Sequence, residues 1–159
     1  MFAFNVTKSV VRLAVDDVNN DPSILSGVTL SVSYNDSNRD PALAAAILLE
    51  KVNIPYPPKI GVLGERVSRV CLSLSYLASY YRLPQVAYGC TSQNLSNRSS
   101  TYVLRGTPTD LDQARALAAL IGSFKFSGDA KTEVSTISSA DEYGTSFQTV
   151  RTSLFMRLG

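Results

Sequence analysis

Histidine is absent from this 159-residue chain, and that lack removes most catalytic options. A Ser-His-Asp arrangement is impossible within it, and no Lys or Glu is placed to activate a nucleophile. Cysteine is scarce too. Cys71 and Cys90 are too few for a disulfide framework, and without an imidazole beside them they make no zinc site. Cys71 falls in a helical pattern and Cys90 just after a strand, so both are expected to be buried free thiols; a local bridge stays open if the two elements are neighbours. No long run of one charge sign occurs, and the net charge is only +2, which leaves nucleic acid or an anionic membrane surface without an electrostatic footprint. No apolar run approaches the ~20 residues of a membrane span. The opening MFAFNVTKSV has no basic start, apolar core or small-residue cleavage site. Neither a G-x-x-x-x-G-K-[ST] loop nor a G-x-G-x-x-G turn after a strand is present. No cofactor is expected, and a binding module is favoured over an enzyme.

What is present is ordinary globular composition, 45% apolar and 18% charged, enough for one modest core. Four N-x-S/T sequons occur, at Asn5, Asn35, Asn94 and Asn97. They are candidates for glycosylation and point toward a secretory-pathway ectodomain. Asn and Ser are also simply common in loops, which accounts for them equally well.

Helical and strand periodicities alternate along the chain. Asn5–Asn20 reads as a helix with Val10, Ala14 and Val18 at four-residue spacing, stopped by Asp21-Pro22. Val28, Leu30, Val32 and Tyr34 alternate as a strand, and Asp40-Pro41 opens a second helix. A strand over Lys59–Leu63 follows the IPYPP breaker cluster. Beyond it come a helix over Val67–Tyr81, strands over Gln85–Tyr88 and Thr101–Arg105, and a helix capped by Asp110 and reaching Phe124. A strand over Lys131–Ser138 and a last helix over Gly144–Phe155 complete the order. Such alternation predicts an α/β fold with a doubly wound parallel sheet. The chain opens on a helix, whereas the first strand of a doubly wound domain normally lies near the sheet's middle. The expectation is therefore a fragment lacking that strand.

Ligands of open α/β sheets bind where strands give way to helices, and four residues stand there. Ser68 follows Gly61-Val62-Leu63-Gly64 at a helix start, where free N–H groups and the helix dipole favour a carboxylate or phosphate; a Ser in that place ordinarily caps the helix. Thr91, in Tyr88-Gly89-Cys90-Thr91-Ser92, would stand beside it on the same sheet edge, though a hydroxyl-rich turn also stabilises itself. Asp110 combines a cap role with the capacity to receive an ammonium group. Tyr143, in Asp141-Glu142-Tyr143-Gly144, could lay its ring against a bound cation or pack on the core.

The run from Gly61 to Ser92, then SNR, L-R-x-x-P-x-D, Q-A-R-A-L and D-E-Y-G, with AVDDVNNDPSIL and D-S-N-R-D-P upstream, resembles the extracellular ligand-binding domain of class C G-protein-coupled receptors. Metabotropic glutamate receptors are nearest; calcium-sensing and GABA-B receptors share parts of the pattern. More distantly, natriuretic-peptide receptors, ionotropic glutamate receptor amino-terminal domains and periplasmic amino-acid binding proteins share the fold. The resemblance implies a type I periplasmic-binding-protein fold, with residues 1–109 as part of lobe 1 and residues 110–159 as the beginning of lobe 2. It implies that Ser68 and Thr91 hold the α-carboxylate of an amino acid such as glutamate, Asp110 its amino group, and Tyr143 a covering ring. It also implies a homodimer through lobe 1, a plasma-membrane receptor with this region outside, and a G protein reached through a membrane domain. The chain departs from that pattern in three places. Glu65-Arg66-Val67 stands before Ser68 where relatives carry Gly-Pro-Gly, the family's Cys near D-S-x-x-D is replaced by Ser37-Asn38-Arg39, and residues 127–131 are inserted after Phe126, where a Trp is customary. Other readings are a receptor-like product that binds nothing and dimerises through lobe 1, or a solute-binding protein.

Overall fold

A computed structural model of the chain describes residues 2–96, 102–123, 135 and 137–155. Two compact units divide it, Met1–Asn38 and Arg39–Gly159. In the first, helix α1 runs Phe2–Asn20 and stops where Asp21-Pro22 removes a backbone donor. Its half-buried stripe is Thr7, Val11, Val15 and Val18, while Val10 and Ala14 face outward. Asp21 closes the turn by accepting from the Ser23 N–H (2.8 Å) and hydroxyl (2.6 Å), bonds that hold its carboxyl below the usual range.

The strand expected over Val28–Tyr34 does not form: these residues pair with no described strand. Alternation sets which side chains share a face, but a strand also needs a neighbouring ladder. Asn19 supplies one rung of it. Its side-chain amide donates to the Leu30 carbonyl (2.9 Å) and accepts the Leu30 N–H (2.8 Å). The Lys8 ammonium lies 5.5 Å from the Tyr34 ring centre in the same unit.

The second unit is built on a three-stranded parallel sheet, β1 (Val62–Leu63), β2 (Gln85–Ala87) and β3 (Val103–Arg105), in that spatial order. Val62 and Leu63 stand opposite Gln85 and Val86, and Val86 stands opposite Leu104. β1 is shorter than expected because its ladder begins at Pro84, whose carbonyl accepts the Val62 N–H (2.8 Å). Helix α2, Pro41–Val52, starts as the Asp40-Pro41 pair predicts: the Asp40 carboxylate accepts from Ala42 and Leu43 N–H. Helix α3, Ser68–Tyr80, ends through Arg82 at φ 55°, with Leu83 N–H returning to the Ala78 carbonyl (2.8 Å). Ala44 and Leu48 of α2 pack with Val70, Leu74 and Ala78 of α3 and with Leu83 to form the main core.

A second cluster joins Cys71, Ala87, Cys90 and Leu95. Here the free-thiol expectation is corrected: Cys71 and Cys90 form a disulfide, Cα atoms 6.5 Å apart. The parallel pairing of β1 and β2 explains it. The helix after β1 and the turn after β2 emerge at one sheet edge, so the first turn of α3 meets the residue preceding Thr91.

Helices α4 (Asp110–Ser123) and α5 (Glu142–Phe155) pack on each other. α5 starts two residues earlier than its periodicity suggests, because Asp141 caps it, accepting the Gly144 N–H at 3.0 Å. Thr101 and Phe124 lie outside the described residues, as does most of the strand expected over Lys131–Ser138; its described residues 135, 137 and 138 are irregular.

Candidate functional site

Strand-to-helix turns of the second unit converge on a cleft of about 440 Å³, lined by Arg66, Val67, Ser68, Gly89, Thr91, Asp141 and Tyr143. Three of the four residues singled out from the sequence therefore share one wall-to-wall space. Ser68 is 3% exposed, yet it is not a cap. Val67 holds the cap position without a side-chain bond, and no hydrogen bond joins the Ser68 side chain to another described residue. The Thr91 hydroxyl is shut from solvent with no partner among the described residues. A turn that stabilised itself would have engaged that hydroxyl. The two groups stand as spare donors, side by side on adjacent turns.

Asp110 is where the structure departs most from expectation. It is fully buried, does not line the cleft, and does not cap α4. Thr109 does so: its carbonyl accepts the Gln113 N–H, its hydroxyl accepts the Asp112 N–H (3.2 Å), and Asp112 accepts the Thr109 N–H (3.1 Å). The Thr109 hydroxyl also donates to the Asp112 carboxylate (2.7 Å), and that bond, followed by the one from the Thr109 N–H, holds the Asp112 carboxyl below its ordinary range. This reciprocal box relieves Asp110 of the task. Both Asp110 side-chain oxygens lack a hydrogen-bond partner among the described residues. Its backbone N–H nevertheless donates to the Thr91 carbonyl (2.9 Å), so Asp110 adjoins the wall that carries Thr91.

Residues that the sequence reading passed over hold these groups in place. The Arg105 guanidinium donates to the carbonyls of Thr91 (3.3 Å) and Ser92 (2.9 Å) and to the Ser96 hydroxyl (2.6 Å). Burial lowers the Arg105 pKa, and the nearby Asp110 and Asp112 charges oppose that shift. Gln85, fully buried on β2, donates to the Gly64 carbonyl (3.0 Å) and so fixes the loop that leads into Ser68. Glu142 accepts from the Ser92 hydroxyl and the Asn94 amide, both at 2.7 Å, and the Gln93 N–H donates to the Ser146 hydroxyl (3.0 Å). These bonds seat the start of α5 on the 92–94 turn and bring Tyr143 to the cleft. The R-x-x-P-x-D and D-E-Y-G spacings carried a signal for Arg105 and Glu142; Gln85 carried none.

Asp141 owes its lowered pKa first to the Gly144 N–H and then to the Ser139 hydroxyl. Both bonds require the chain to fold tightly at Gly144, where an added Cβ would land on the Ser139 carbonyl oxygen. Gly144→Ala should therefore push the 139–141 turn away from α5 and displace Tyr143. Loss of about 1–3 kcal/mol in a denaturant titration is expected; an unchanged midpoint would count against this packing.

Of the sequons, Asn5 lies exposed on α1, Asn35 is exposed, and Asn94 is exposed while donating to Glu142; Asn97 lies outside the described residues.

Residues 6–150 match the family described as the receptor family ligand binding region. The chain belongs to this family. The match is to part of a receptor ligand-binding region and not to an enzyme family. Among curated relatives, Glutamate receptor 3.4 of Arabidopsis thaliana is 30% identical over 117 residues, covering 74% of this chain and 12% of that protein. The chain thus spans about an eighth of the length of the relative it matches. As a member of the receptor ligand-binding family, it carries the cleft at the strand ends of an α/β sheet with parallel strands, which is where the fold class places it.

Proposed function

We propose that this region recognises an amino acid or a related small zwitterion such as glutamate, on the outside of a plasma-membrane receptor. The observation that carries this reading is the meeting of Ser68, Thr91 and Tyr143 in one cleft, with the unpartnered carboxylate of Asp110 bonded through its backbone to Thr91. The two hydroxyls and the free N–H groups of α3's first turn supply donors for an α-carboxylate. Asp110 supplies acceptors for an ammonium group, and the Tyr143 face offers cation–π attraction to the same charge. Burial of Asp110 means that ligand entry requires movement of the β3–α4 turn or of α5. That suits a receptor in which residues to 109 belong to one lobe, residues from 110 begin the next, and lobe closure carries the signal through differential affinity for two states. A disulfide at the site suits an oxidising compartment. The L-R-x-x-P-x-D and D-E-Y-G motifs favour coupling to a G protein through a membrane domain, with lobe 1 as the dimer surface.

Titration of the chain with L-glutamate, followed by thermal melting, tests the reading. At ligand concentrations well above Kd the melt should shift upward by several degrees, corresponding to about 2–3 kcal/mol at a hundredfold excess over Kd. Glutarate, which lacks the amino group, should give a much smaller shift. No shift with any amino acid would refute amino-acid recognition by this region.

A further inference from the structure

Among the described residues that line the cleft, Arg66 is the one basic side chain, and it stands two residues before Ser68. Its backbone N–H donates to the Glu65 carboxylate (3.3 Å), but its guanidinium makes no hydrogen bond or ion pair with another described residue. Its stem lies against Gly89 all the same, although the residue as a whole is exposed. A Cβ added at Gly89 would fall 2.7 Å from the Arg66 Cγ and 3.2 Å from its Cα, so the side chain lies against bare glycine backbone. It thereby crosses from the turn that carries Ser68 to the turn that carries Thr91. The cleft's other formal charge, Asp141, is already engaged with the Gly144 N–H and the Ser139 hydroxyl.

One wall therefore presents an exposed, unpaired cation, its stem against Gly89, beside two unpartnered hydroxyls, one of them on a residue only 3% exposed. A guanidinium offers a planar fork of donors that matches a carboxylate. On the reading that the cleft takes an amino acid, we propose that Arg66 is a specificity residue that pairs with the ligand's α-carboxylate. It makes the site select free acids by charge as well as by hydrogen bonding. It does not read the ligand's side chain, because its stem lies against the wall shared by Ser68 and Thr91.

The test compares the wild-type chain with Arg66→Gln and Arg66→Lys by calorimetric titration with L-glutamate and L-glutamine, at low and high sodium chloride. Both ligands carry the α-carboxylate, whereas only glutamate has a charged side chain. Arg66→Gln should weaken both by about tenfold, flatten the salt dependence seen in the wild type, and leave the thermal melt of the unliganded chain unchanged. Arg66→Lys should restore part of the affinity and the salt dependence. A loss confined to L-glutamate would overturn the assignment to the α-carboxylate. Unchanged affinity, or a loss with the salt dependence intact, would overturn the charge role altogether. Failure of the wild type to bind either ligand would instead overturn the amino-acid reading beneath it, so the two failures are distinguishable.

Discussion

Asp110→Ala should abolish amino-acid binding and yet leave the unliganded chain more stable than the wild type. The carboxylate is fully buried and neither oxygen finds a donor among the described residues. A buried polar group left without a partner costs roughly 1–3 kcal/mol, and removing it recovers most of that. Arg105 loses an attractive charge in the exchange, and the methyl group leaves a small void, so a net gain of about 1 kcal/mol is expected, or roughly 3 °C in the melt. The cap of α4 is not lost, because Thr109 and Asp112 supply it. In a longer receptor containing this region, the same substitution should silence responses to amino acids while surface expression is kept. Calorimetric titration and thermal melting of the pair of proteins decide the matter. Undiminished affinity would remove Asp110 from the site, and a lower melt would mean that its carboxylate has a stabilising partner in the unliganded state.

Loss of the Cys71–Cys90 disulfide should have the largest effect on stability. The bridge closes a loop of 19 residues in sequence separation, for which chain-entropy arguments give about 3 kcal/mol. For a chain of this length that is a fall of roughly 10 °C in Tm. Both cysteines are fully buried, so the paired Cys→Ser variant also places two hydroxyls in an apolar cluster. Recognition should suffer beyond what the melt explains. Cys71 lies three residues after Ser68 and Cys90 immediately before Thr91, so the bridge fixes the spacing of the two hydroxyl-bearing turns. The paired Cys→Ala variant, measured well below its Tm, separates the two effects. Wild-type affinity for L-glutamate in that folded variant would show that the turns keep their spacing without the bridge.

Local rules were enough for the sequence to reveal some elements and not others. Asp40-Pro41 is a complete helix-start signal within two residues, and α2 begins there. Gly61 to Ser92 repeats a strand, a turn and a helix, and that repetition places Ser68 and Thr91 on one edge of a parallel sheet. Val28–Tyr34 shows the limit of such rules: alternation is a property of the segment, but strand formation belongs to the pair. The disulfide was hidden for a related reason, since its two cysteines are joined only through the parallel pairing of β1 and β2. Asp110 illustrates a different limit. Any Asp before an Ala- and Leu-rich helix reads as a cap, and only the geometry shows that its neighbour Thr109 has taken that place. Arg66 was visible as a departure from the family's usual turn, but its lie against Gly89 depends on two loops meeting.

The Thr109–Asp112 box also makes this site unusually open to genetic dissection. Had one carboxylate both started the helix and met the ligand, every substitution there would have confounded folding with recognition. If Asp110 meets the ligand as proposed, the tasks fall on neighbouring codons, and a scan of positions 109, 110 and 112 should separate into two phenotypes. Changes at 109 and 112 would lower protein abundance, while the small or isosteric changes Asp110→Ala and Asp110→Asn would leave abundance intact and remove sensitivity to ligand.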